Sequence, residues 1–88
     1  MNKRHEEQLW SRLDSLYVTG VVFMSWDELY YWYGTERLSK GPWRDIKSRW
    51  ESLLEEKGQK YNDPHLRQTR SGVWFITNLD KTLSEWAA

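Results

Sequence analysis

No cysteine occurs anywhere in the chain. That absence excludes a disulfide framework, a thiolate metal site and a thiol nucleophile, and it fits a reducing compartment in which packing alone supplies stability. Long apolar runs are missing as well. Nothing approaches the roughly 20 residues needed to span a bilayer, and the opening MNKRHEEQLW carries acids where a signal peptide needs its apolar segment. A cytoplasmic protein with no membrane contact is therefore expected. Neither sign of charge prevails, with 13 Lys plus Arg against 13 Asp plus Glu, which argues against a strong polyanion binder taken whole. The few glycines, at 20, 34, 41, 58 and 72, are scattered as stops and turns and form no phosphate-cradling GxxxxGK loop.

Catalytic constellations are equally scarce. His5 and His65 lie far apart in polar contexts, with no HExxH and no evident carboxylate partner, so no metal site is expected. The adjacent acids Glu6 and Glu7, Asp27 and Glu28, and Glu55 and Glu56 cannot face one another on a helix as a catalytic pair must. The sequence reads as a non-enzyme with no cofactor and no small-molecule substrate.

Aromatic side chains are what the chain has in excess: seven Trp and five Tyr in 88 residues. Each can bury about 150 to 250 Å², so they could fill a small core unaided. A chain of this length makes one domain, residues 1–88, burying roughly 60 to 65% of its unfolded surface, which leaves little apolar area for a deep cavity. A surface-borne function is expected.

Periodicity gives the elements. Leu9, Leu13 and Leu16, with Trp10 and Tyr17 beside them, predict an amphipathic helix over 3–18 that ends at Gly20. The run VVFM at 21–24 is too short for a helix and suits a strand. SWDE at 25–28 matches a capping box, in which Ser25 accepts from the Glu28 N–H while the Glu28 carboxylate returns to the Ser25 N–H. It opens a second helix carrying Trp26, Leu29, Tyr30 and Tyr33, stopped at Gly34. Among the four aromatics 30–33, Tyr31 or Trp32 is the candidate for exposure, because consecutive helical residues cannot share one face. In GPWRDIKSRWESLLEEKG, residues 41–58, Trp43, Ile46, Trp50, Leu53 and Leu54 fall within about 100° of one another and define the core stripe of a third helix, 42–57, with Pro42 in its first turn and Gly58 as its stop. Turn residues at Asn62, Asp63, Pro64 and at Ser71, Gly72 bracket a two-stranded hairpin that closes at 62–65 or at 70–72. Asn78 is a candidate cap for a closing helix through Leu79, Leu83 and Trp86.

This order of helix, strand, helix, helix, hairpin, helix resembles the winged helix-turn-helix superfamily, across nearly the whole chain. The resemblance implies a small α+β domain with a three-helix core, a β-hairpin wing at about 62–72 and a short C-terminal helix. It also implies that helix 42–57 is the recognition helix for double-stranded DNA, although members of this superfamily serve as protein-binding modules too, so fold alone does not decide.

The charges bear on that choice independently. Residues 37–70 hold nine Lys/Arg against five acids, while the remainder of the chain is net acidic. In the third helix the cations crowd the first half and Glu51, Glu55 and Glu56 the second, against the preference of the helix dipole by about 0.3 to 1 kcal/mol per exposed charge. A groove-inserted helix needs that polarity. The same residues also allow a plain solvated face, with Asp45–Arg49 and Lys47–Glu51 as i, i+4 pairs. The reading favoured here is a small DNA-binding regulator or accessory factor, with Lys40, Arg44, Lys47 and Ser48 in the major groove and Arg67 and Arg70 on the backbone. Zero net charge then favours a homodimer or a larger assembly. The alternative is a protein-interaction module that binds a partner through exposed Trp or Tyr.

Overall fold

A computed structural model describes residues 1–77 and 82–87. Among them the chain runs α1 (Lys3–Thr19), β1 (Val21–Ser25), α2 (Trp26–Tyr33), α3 (Lys40–Glu56), β2 (His65–Gln68), β3 (Gly72–Ile76) and α4 (Leu83–Ala87). It is a small α+β protein with four helices and one three-stranded antiparallel sheet.

Each boundary has a local cause. Asn2 caps α1 by accepting the His5 N–H at 2.8 Å, and Gly20 ends the helix in the left-handed region, at φ 84°, where its N–H donates to the Leu16 carbonyl. Both halves of the capping box at Ser25 and Glu28 are formed. α3 starts two residues before the predicted position, because Ser39 is already extended while Lys40 is helical, which leaves Pro42 in the first turn without a lost bond. The closing helix is shorter than predicted. Thr82 and Glu85 form its N-terminal box, with the Thr82 N–H on Glu85 Oε2 at 3.1 Å and the Glu85 N–H on Thr82 Oγ1 at 3.3 Å. The expected cap Asn78 and the expected stripe residue Leu79 lie outside the described residues. None of α4 is buried, so its Leu83 and Trp86 do not close the core.

The sheet has the order β1–β3–β2, which puts the last strand in the centre and leaves β1 and β2 as edges. Pairing sets Val22 opposite Phe75, Met24 opposite Val73, Leu66 opposite Phe75 and Gln68 opposite Val73. These side chains point toward the helices. The intervening row of Phe23, Trp74 and Arg67 takes the opposite face, as the two-residue period requires. The hairpin turns at Thr69–Ser71, so the second of the two predicted closures is the real one, and residues 62–64 belong to the connection before β2 rather than to the wing predicted over 62–72.

Thirteen side chains make one core: Leu9, Leu13 and Leu16 from α1, Val22 and Met24 from β1, Leu29 and Trp32 from α2, Ile46, Trp50, Leu53 and Leu54 from α3, and Val73 and Phe75 from β3. Trp43, predicted in the stripe, packs on its border half-buried. Of the two rings offered for exposure, Trp32 turns inward. It is buried, with its indole N–H on Gln8 Oε1 at 2.8 Å and Arg12 over its ring, whereas Tyr31 is the exposed ring. Four aromatics in a row give no periodic contrast from which to choose the inner one. β2 contributes nothing to the core, and all four of its residues are exposed.

Candidate nucleic-acid interface

Burying Ile46, Trp50, Leu53 and Leu54 decides what α3 shows to solvent. Steps of about 100° per residue then carry Lys40, Arg44, Lys47 and Ser48 outward together, followed one turn later by Glu51. All five are exposed. The first turn of α3 holds no acid, and the Ser39 side chain makes no capping bond, so carboxylates are absent from the positive end of the helix dipole. Lys40 and Arg44 make no side-chain hydrogen bond or ion pair among the described residues. Lys47 does not pair with Glu51; its Nζ sits 5.8 Å from the centroid of the Tyr61 ring. Of the two ion pairs anticipated on this helix, only Asp45–Arg49 forms, at 2.8 Å.

Arg49 belongs to the scaffold. It also reaches Glu6 at 3.2 Å and stacks over Trp10, while Asp45 accepts the Tyr33 hydroxyl at 2.7 Å, so one half-buried network ties α3 to α1 and α2. Burial, followed by the bond to Asp45, holds the Tyr33 hydroxyl far above its ordinary ionisation range. Burial opposes the charge of Arg49, yet the bonds to Asp45 and Glu6 outweigh it and raise its pKa. Arg12 is similarly engaged, donating to both Glu28 oxygens and to the Phe23 carbonyl. The fold thus consumes Arg12 and Arg49 and leaves the outer cations of α3 to solvent.

The hairpin tip is clipped to the start of α2. The Trp26 indole N–H donates to the Thr69 carbonyl at 3.0 Å and the Trp26 backbone N–H to the Ser71 carbonyl at 3.1 Å, while the Thr69 N–H closes the turn on the Gly72 carbonyl at 2.8 Å. Gly72 pairs directly with Ser25, so the tip projects only three residues beyond the last residue of β1. Arg70 is exposed on that tip. Arg67 shares the outer sheet face with Trp74, across the sheet from α3.

Of the six residues singled out from sequence, Lys40, Arg44, Lys47 and Ser48 lie on one helix face, Arg70 is on the clipped tip, and Arg67 is turned away from α3. One cation was missed. Arg37, in the turn before α3, lines a hollow with Trp26, Tyr30, Trp43 and Gln68, between the start of the helix and the hairpin end. Its position in TERLSK, directly before the candidate recognition helix, was the available signal.

No group of three or more His, Asp and Glu among the described residues could hold a metal ion, and no described helix is long and apolar enough to cross a membrane. Comparison with protein-family models, curated proteins and solved structures gives no match.

Proposed function

We propose that this chain is a small double-stranded-DNA-binding protein of winged-helix layout, a regulator or accessory factor that sets the first two turns of α3 against the major groove. The observation that carries the reading is the outer face of α3: Lys40, Arg44, Lys47 and Ser48 exposed together, with no acid in the first turn and, among the described residues, no ion pair on the three cations. Stability does not account for that arrangement, since the dipole favours the reverse. Element order and the β1–β3–β2 sheet support the layout. Because the tip is short and clipped, Arg70 serves the nearest phosphate rather than entering a minor groove. Arg67 drops out of the interface.

A fluorescence titration of random duplex tests the proposal without knowledge of a target sequence. Four cations on phosphates give a log affinity that falls with log salt at a slope of about −3.6, taking about −0.9 per contact. Lys40→Ala or Arg70→Ala flattens the slope by about one contact, and Arg67→Ala leaves it unchanged. Absence of binding at about 50 mM salt and tens of micromolar protein would sink the reading.

The second reading, a protein-interaction module, is favoured by a different observation. Tyr31 is 70% exposed on α2, with the His5 ring 4.5 Å from it, on a chain without net charge.

A further inference from the structure

Among the described residues, β2 is an edge strand that pairs with β3 alone. At the opposite edge, Arg12 occupies the Phe23 carbonyl of β1, and that strand passes at once into the capping box of α2. β2 has β3 on one side only, and each of its residues is exposed, so its outward N–H and C=O groups form an open row able to pair with another chain.

The space beside that row is shaped. Leu66 faces the helices next to buried Phe75 yet is 51% exposed, because α3 does not reach over it. Two hollows lie there. One, of about 240 Å³, is floored by Ile46, Trp50 and Phe75 and walled by Leu66 and Tyr61. The other, of about 410 Å³, lies among Trp26, Tyr30, Arg37 and Gln68. Trp43 lines both and divides them. Leu66 belongs to the first hollow and Gln68 to the second, two residues along the same face of one strand. Alternate side chains of any strand laid beside β2 recur at that interval, roughly 6.7 Å at about 3.3 Å per residue. Residues n and n+2 of an added strand therefore fall on either side of Trp43, while residue n+1 turns outward beside Arg67.

Charge selects the occupant. Arg67 flanks the outward row, Lys47 stands at the first hollow and Arg37 at the second. Each hollow also carries an acid, Asp63 beside Lys47 in the first, where it accepts the Tyr61 hydroxyl at 2.7 Å, and Glu36 beside Arg37 in the second, so the charge that bears on the outward row is that of Arg67. Pairing two copies of β2 antiparallel in the register that centres on Arg67 would set Arg67 against Arg67 of the other copy, an unfavourable match. A segment with carboxylates on the outward positions meets that cation instead.

We propose that β2 accepts, as a fourth strand, an extended segment of a partner protein that alternates apolar residues toward the two hollows with acidic residues outward. Backbone pairing supplies attachment and the hollows on either side of Trp43 supply selection, which is the general logic of strand addition at a sheet edge. The site shares Lys47 with the DNA reading but rests on the edge of β2, which that reading does not use, so either can fail alone.

The test uses the full chain, ¹⁵N-labelled, at neutral pH, with three capped eight-residue probes: alternating Leu and Glu, the same peptide N-methylated at every other residue so that one edge cannot pair, and alternating Leu and Lys. The Leu/Glu peptide is expected to bind saturably, shifting the amides of residues 65–68 and the Trp43 indole. The N-methylated peptide, which loses at least two backbone bonds, binds about tenfold more weakly or worse. Arg67→Glu, a change at an exposed position, weakens the Leu/Glu peptide and strengthens the Leu/Lys peptide. Equal binding of the N-methylated peptide overturns the proposal, as does the absence of shifts in β2 with the Leu/Glu peptide at about 1 mM. So does a response of residues 65–68 to protein concentration alone, which would make a second copy the occupant, or to random duplex but to no peptide, which would assign the edge to nucleic acid.

Discussion

Trp50 shows how one side chain fixes two parts of the molecule. It is 2% exposed at the centre of the α3 stripe, and its indole N–H donates to the Asn62 carbonyl at 2.8 Å, pinning the connection that leads into β2. Trp50→Ala is expected to cost about 3 to 5 kcal/mol, and Trp50→Phe, which keeps most of the ring and loses mainly the hydrogen bond, closer to 0.5 to 1.5 kcal/mol; urea unfolding of the two variants separates the terms. Gly72 is constrained by space. A Cβ there would overlap the Met24 carbonyl oxygen and stand 2.7 Å from both Ser25 Cα and the tip of the Phe23 ring. Gly72→Ala should therefore destabilise by about 1 to 3 kcal/mol. Gly41, in the first turn of α3 with nothing within 4 Å, should behave oppositely, Gly41→Ala gaining about 0.5 to 1 kcal/mol in the same experiment.

Among the elements, α2 has the most heavily braced start. The Ser25–Glu28 box is joined by Arg12, so one carboxylate satisfies the cap, the arginine and, through that arginine, the edge of β1. Hydrogen bonds from Arg12 above all, with the Ser25 N–H and hydroxyl helping, hold the Glu28 carboxyl below its ordinary value of 4.5, although burial works the other way. A carboxylate whose folded pKa is depressed adds stability that is present above its unfolded value and lost as pH falls through the folded one. Glu28→Gln should therefore lower the urea midpoint at neutral pH, with the gap to the parent closing as pH falls through and below the ordinary carboxylate range. A gap that stays constant across that range would mean the carboxylate is not ionised against Arg12. At this same end of the β1–β3 pair, α2 holds the hairpin tip through Trp26, and this is why the tip stays close to the sheet.

For the molecule as a whole, the cations divide into those that hold the fold and those that face solvent. Arg49, 18% exposed and bonded to Asp45 and Glu6, is of the first kind; Arg44 is of the second. Arg49→Ala should cost about 1 to 3 kcal/mol of stability, because it strips a partner from the half-buried Asp45 and another from Glu6, whereas Arg44→Ala should change stability by no more than about 0.5 kcal/mol. Affinity for duplex DNA is expected to respond in the reverse order once Arg49→Ala is assayed under conditions where it remains folded. Comparable effects of the two substitutions on both stability and duplex binding would show that the outer face of α3 is not a separate working surface. A chain with no net charge can present such a face only because the acids of its other segments lie elsewhere.

The first three helices, the first strand, the capping box and the core stripe of α3 followed from the sequence, because each rests on spacing within a dozen residues: leucines at 9, 13 and 16, Ser25 three before Glu28, Trp50 four after Ile46. The candidate cations of α3 were legible for the same reason, since a helix whose inner stripe is known has a known outer face. Tertiary structure decided what depends on distant partners. Trp32 rather than Tyr31 went inside because Gln8 and Arg12 of α1 receive it. The turn settled at Thr69–Ser71 because Trp26 binds two of its carbonyls, and Arg67 faced away from α3 because pairing with Trp74 set its parity. The open edge of β2 was invisible in HLRQ itself. A strand becomes an edge only through what fails to pair with it, and no spacing along one chain encodes that.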